Sequence, residues 1–210
     1  MAKAKKFWAT RVKLDREDSV TRSELLRAAR LVFEQQGYAR STIADIASHA
    51  DVSRATFYVY FASKEDAFRV LAEGVRDRFL AAQELNGIDA DNPHAVGEAT
   101  IAAYLDAYTE NLAFITVLEH QSITDPAMYA LWEEIHNRPL RRTARYIEHL
   151  VQKNLADPAA SPEAIARAAG GMVANFAPLL VKNPTARKEA VADLTAMYLR
   201  LLGLRKTRKG

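Results

Sequence analysis

Nowhere in its 210 residues does this chain alternate apolar and polar positions as a half-buried strand must, and its β-branched residues are scattered through Ala- and Leu-rich segments. That pattern predicts an all-α fold. Helix starts can be placed from capping pairs, in which a hydroxyl stands three residues before an acid: Thr21 with Glu24, Thr42 with Asp45, and Ser63 with Asp66. After Thr21, Leu25, Ala29, Val32 and Phe33 recur at helical spacing, and Gly37 supplies a stop. A second helix opens at Thr42, turns Ile43, Ile46 and Ala47 inward and ends near Ala50, too short to stand alone. Asp51 and Val52 form a turn, Ser53 caps a third helix, "RATFYVY", and Ala62 and Ser63 end it. Two short helices joined by a tight turn fit a helix-turn-helix.

A longer helix runs from Lys64 toward Glu84, and "ELNGIDADNP" then punctuates the chain. Further helices are expected at 93–120, with a break near Asn111, and at 126–154, 161–181 and 185–203. Pro126, Pro158, Pro162 and Pro184 sit near their ends, whereas Pro139 and Pro178 fall inside them and predict a kink or break. The expected organisation is a basic arm (1–20), a three-helix module (21–70) and a larger helical body (71–210).

Charge divides along the same line. Residues 1–64 hold 12 Lys and Arg against 7 acids, a net of +5, and residues 65–204 hold 13 against 19, a net of −6. A basic front on an acidic body suits a polyanion at the front. The tail "RKTRKG" is basic again and reads as solubilising. Absence of cysteine excludes disulfides, thiolate metal sites and thiol catalysis. The basic N-terminus lacks the apolar stretch of a signal peptide, and no apolar run approaches the length of a membrane span, so a cytoplasmic protein is expected.

The segment "DVSRATFYVYFASKED" crowds four aromatic rings into five positions. In a helix opening after Ser53, Phe57 and Phe61 share a buried face, whereas Arg54, Ala55, Tyr58 and Val59 point away from it. Tyr60 lies near the surface, with a core role equally open. Arg54 and Thr56 have the chemistry to read base edges, and Tyr58 to donate its hydroxyl to a phosphate. Lys64 and Thr42, each at a helix start, are candidates for further phosphates. Lys3, Lys5, Lys6, Arg11 and Lys13, with Phe7 and Trp8, either add contacts along a groove or form a loose end.

The run "STIADIASHADVSRATFYVYFASKEDAF" resembles the DNA-binding signature of TetR-family (tetracycline-repressor-like) transcriptional regulators, over about residues 21–70. The resemblance implies DNA-contacting roles for Thr42, Arg54, Ala55, Thr56, Tyr58, Tyr60 and Lys64. It also implies a homodimer formed by the last two helices and an effector site in the body. Two departures stand out. Asp51 occupies a turn position where the family commonly has glycine, implying positive φ, and Tyr60 replaces a commoner histidine.

"AIARAAGGMVANFAPLL" aligns Ala166, Gly170 and Ala174, which permits close helix approach. "LTAMYLRLLGL" offers Leu194, Met197, Tyr198, Leu201 and Leu202 as a second apolar face. A dimer seam or an intramolecular core explains both. Tyr104, Tyr108, Phe114, Met128, Trp132, Met172, Asn175 and Phe176 are candidates for an apolar effector pocket with a few polar handles. Catalysis finds little support: there is no Gly-rich phosphate loop, H-E-x-x-H or serine elbow, and Glu133-x-x-His136 lacks the second copy a di-iron site needs. No enzyme activity, metal or cofactor is expected. The function implied is a repressor released from a palindromic double-stranded operator by a small, largely apolar effector. The alternative is a helical enzyme or non-DNA interaction protein retaining a decayed front module.

Overall fold

The computed structural model describes residues 20–204; the basic arm before them and the 205–210 tail lie outside the described residues. The chain forms α1 (Val20–Gln36), α2 (Ile43–His49), α3 (Arg54–Tyr60), α4 (Lys64–Ala81), α5 (Pro93–Ser122), α6 (Pro126–Gln152), α7 (Pro162–Lys182), a 3-10 turn (Pro184–Ala186) and α8 (Arg187–Leu202). Among the described residues there is no strand, only a bridge between Ala156 and Leu204. The fold is all-α, as the sequence reads.

Three details differ from expectation. The chain is already helical at Val20, so Thr21 lies inside the first turn of α1 and does not cap it. α5 runs unbroken through Asn111, whose fully buried side chain donates to the Ala107 carbonyl at 2.6 Å and so satisfies its amide locally. Neither Pro139 nor Pro178 breaks its helix.

The chain divides into two compact units. Among the described residues, the first comprises residues 20–73 together with Phe114–Met128; the second is Gly74–Ala113 with residues 129–204. In the first, Leu25, Ala29, Val32 and Phe33 of α1 pack with Ile46, Phe57, Phe61 and Phe68, all essentially inaccessible. Phe68 is the hub, with ring centroids 5.1 Å from Phe33, 4.8 Å from Tyr38 and 4.8 Å from Phe114. In the second, Phe79, Leu105, Tyr108, Ile135, Ile147, Val173, Leu194 and Leu202 form the core.

Within the second unit the stripe Ala166, Gly170 and Ala174 turns toward the interior, with Ala166 buried, and Leu194, Tyr198 and Leu202 are buried inside the same chain. The open side of α7 is a different one: Ala168, Gly171, Asn175, Leu179 and Lys182. One expectation is overturned here. α7 is long and apolar enough, by length and composition alone, to cross a bilayer, with mean hydropathy 1.4 over an 18-residue window of which only 28% is buried.

Candidate nucleic-acid interface and effector site

Thr42 caps α2 through a reciprocal box. Its Oγ1 accepts from the Asp45 N–H at 3.2 Å, while Asp45 Oδ2 accepts from the Thr42 hydroxyl at 2.7 Å and backbone N–H at 3.0 Å. Those bonds from Thr42 hold the Asp45 carboxyl below the usual carboxylate range. α2 then closes with a Schellman turn, Val52 N–H donating to the Ala47 carbonyl at 3.0 Å and Asp51 N–H to the Ser48 carbonyl at 3.2 Å. That geometry requires a left-handed residue, and Asp51 supplies it at φ 53°.

Ser53 caps α3 by accepting from the Thr56 N–H at 3.0 Å, and the two hydroxyls lie 2.9 Å apart. From that start the helical period settles which residues face out. Phe57 and Phe61 are 0% and 1% exposed, their rings 5.5 Å apart. Arg54, Ala55, Tyr58 and Val59 are exposed, Tyr58 by 52% and Val59 by 48%, while Thr56 and Tyr60 are half-buried. The polar face of α3 is therefore open and its phenylalanines are anchors.

Lys64, at the start of α4, is committed inward. Its Nζ donates to the carbonyls of Tyr38 at 2.9 Å and Ser41 at 3.1 Å and sits 4.3 Å from the Tyr38 ring centroid. These two bonds engage two of the three ammonium N–H groups. Beside it, Tyr38 Oη donates to Glu65 Oε1 at 2.9 Å. Burial, then that carboxylate, push the phenol's pKa well up. Bonds to its own backbone N–H, then to Ser63 and Tyr38, hold the Glu65 carboxyl down against partial burial.

The effector candidates divide between the units. Phe114 and Met128 belong to the first. In the second, Tyr104 and Tyr108 surround Phe79, with centroids 4.8 Å and 5.7 Å from it and 6.2 Å from each other. Burial pushes the Tyr104 phenol up. His136 lies 4.5 Å from the Trp132 ring and 6.4 Å from Phe79, extending the cluster. Met172 and Phe176 are half-buried on α7, whereas Asn175 stands on its open side and donates to the Gly171 carbonyl at 2.8 Å. The sequence reading left Phe79, Gln83 and His136 out of the effector set: His136 was weighed only in the Glu133-x-x-His136 pair, and Phe79 had a signal in its place on the apolar face of α4. Trp132 Nε1 and Gln83 Oε1 are buried without a hydrogen-bond partner among the described residues. Glu133 and His136 join no group of three or more metal-ligating side chains among the described residues.

The profile described as "Bacterial regulatory proteins, tetR family" matches residues 25–71, which hold α2, the turn, α3 and the Lys64 start of α4. Over those residues the chain is similar to the tetR family of bacterial regulatory proteins. An uncharacterized HTH-type transcriptional regulator, YfiR of Bacillus subtilis (strain 168), is 34% identical over 90 residues, 43% of this chain and 42% of that one. The HTH-type transcriptional repressor NicS of Pseudomonas putida is 28% identical over 103 residues, 49% of each chain. The matched stretch thus spans less than half the length of these relatives. A bacterial regulatory protein in the tetR family from Rhodococcus RHA1 superposes with a TM-score of 0.74 at 21% identity, covering 90% of this chain and 100% of that one. That likeness is one of fold, and it takes in the helices of the body as well as the residues matched by the profile.

Proposed function

We propose that this chain is a sequence-specific DNA-binding transcriptional regulator of the TetR type, a repressor acting in the cytoplasm as a homodimer. The observation that carries the reading is the open face of α3: Arg54, Ala55 and Tyr58 are exposed on a helix anchored from behind by Phe57 and Phe61. Arg54 and Thr56 read base edges; Tyr58, Tyr60, Thr42 and the remaining Lys64 donor hold phosphates, with Ala55 allowing close approach. The uncovered side of α7 supports a second copy as partner, because it bears Leu179 (57% exposed) beside the small Ala168 and Gly171 and gains by being covered. A two-fold dimer places half-sites about 34 Å apart, or a multiple of it.

The effector is small and largely apolar, received by Tyr104, Tyr108, Trp132, Met172 and Phe176, with Trp132 Nε1 offering it a donor. It releases DNA to the extent that it binds the DNA-incompetent shape more tightly. Selection of binding sites from random duplex DNA tests the reading. An enriched inverted repeat is expected, bound with steep salt dependence, and Arg54→Ala should cost about 1–3 kcal/mol at one base position. Recovery of no sequence above background would overturn it.

A further inference from the structure

α6 carries Arg138, Arg141, Arg142 and Arg145 within eight residues that contain no acid. Spaced i, i+3, i+4 and i+7, they share one face of the helix. With Leu80 of α4 they line an open concavity of about 470 Å³, within the roughly 300–1,000 Å³ range of small-molecule sites. Its wall is held in place. Gln83 Nε2 donates to the Pro139 carbonyl at 3.0 Å and to Thr143 Oγ1 at 2.9 Å, and Arg142 reaches the Leu80 carbonyl at 3.4 Å.

Counter-charge is scarce there. The Arg138 guanidinium lies 3.9 Å from Glu134, which already receives Arg76 at 2.7 Å. Neither Arg141 nor Arg145 has an ion pair among the described residues, and Glu148, one turn on from Arg145, pairs with neither. Like charges at i, i+4 repel, so the chain maintains this face at a cost. It does so in the region that is otherwise acidic, with a net of −6 over residues 65–204, so the cluster is not part of a general basic surface.

We propose that this concavity binds a small polyvalent oxyanion, a ligand bearing two or more phosphate or carboxylate groups. Planar guanidinium forks grip such groups two bonds at a time, which lysine does not match, and Leu80 offers an apolar contact to the ligand's stem. The recess is sized for a compact molecule, and its residues are distinct from the aromatic effector candidates, so the proposal stands apart from the regulatory reading.

Calorimetric titration of the full chain with sodium pyrophosphate, and separately with citrate, against chloride at equal ionic strength tests it. Saturable binding of at least one anion is expected, and which one binds tells phosphate from carboxylate. R141A/R145A should weaken it by about tenfold or more, since charge-assisted bidentate bonds are lost. R141K/R145K keeps the charge and should still weaken it by about threefold or more; it also serves if the alanine variant fails to fold. Arg167→Ala with Arg200→Ala, which removes two exposed charges elsewhere, should change nothing. Absence of saturable binding, full affinity in R141K/R145K, or equal loss in the Arg167/Arg200 variant would each overturn the proposal. A parallel loss of affinity for random duplex DNA in R141A/R145A would do so too, marking a nucleic-acid surface instead.

Discussion

Two residues in the left-handed region show how a single backbone angle decides what a position tolerates. Asp51 at φ 53° closes α2 where a side chain is strained, and being exposed it does little else. Asp51→Gly should therefore stabilise the chain by about 0.5–1 kcal/mol, the relief of strain outweighing the added freedom of the unfolded state. A urea midpoint that rises at constant slope would register this. Gly203, at φ 56°, is the opposite case, because a Cβ there would stand 2.1 Å from the Asp157 carbonyl oxygen. The strap from Asp157 to Ala159 is tied to this helix end by bonds to Leu202, Gly203 and Leu201. Gly203→Ala must displace that backbone and should cost about 2 kcal/mol or more, read by the same titration.

Among the elements, α3 separates buried anchors from an open face within five residues. Phe57→Ala should cost about 3–5 kcal/mol of stability, as a fully buried ring is lost, whereas Tyr58→Ala should lie within about 0.5 kcal/mol and yet impair DNA binding. Thermal melting and gel shift, run on both variants, would expose any reversal of these roles. The joint between the turn after α1 and the start of α4 carries a pH dependence. Glu65 has its pKa depressed in the folded state, so its contribution is present above the ordinary carboxylate value and lost as acid protonates it. Stability should fall below about pH 4, and Glu65→Gln should flatten that decline in acid titrations followed by circular dichroism.

At the scale of the molecule, the uncovered side of α7 asks for a partner. A helix with mean hydropathy 1.4 and 28% of its window buried is incompletely packed by its own chain. If a second copy covers it, Leu179→Glu should convert the protein to monomers in sedimentation, with helix content retained because the residue is already exposed. The same variant should lose cooperative binding to a two-half-site operator while keeping weak binding to one half. A dimer that survives this change would place the seam elsewhere.

Much of the first 70 residues was legible from sequence, because its signals act over one helical turn. The Thr42 and Ser53 caps and the inward Phe57 and Phe61 follow from neighbours within four residues, whereas the left-handed Asp51 was expected only from the resemblance to a family that commonly has glycine there. Helix content of the body was legible for the same reason. What covers each helix was not, since α7 is apolar on both sides and only its packing against α8 reveals that Ala166 turns inward and Leu179 outward. Packing likewise decided that Lys64 is tied to two carbonyls, that Phe114 joins the first unit, and that four arginines of α6 line one recess. Periodicity states which residues share a face; only the neighbouring helices determine whether that face meets protein or water.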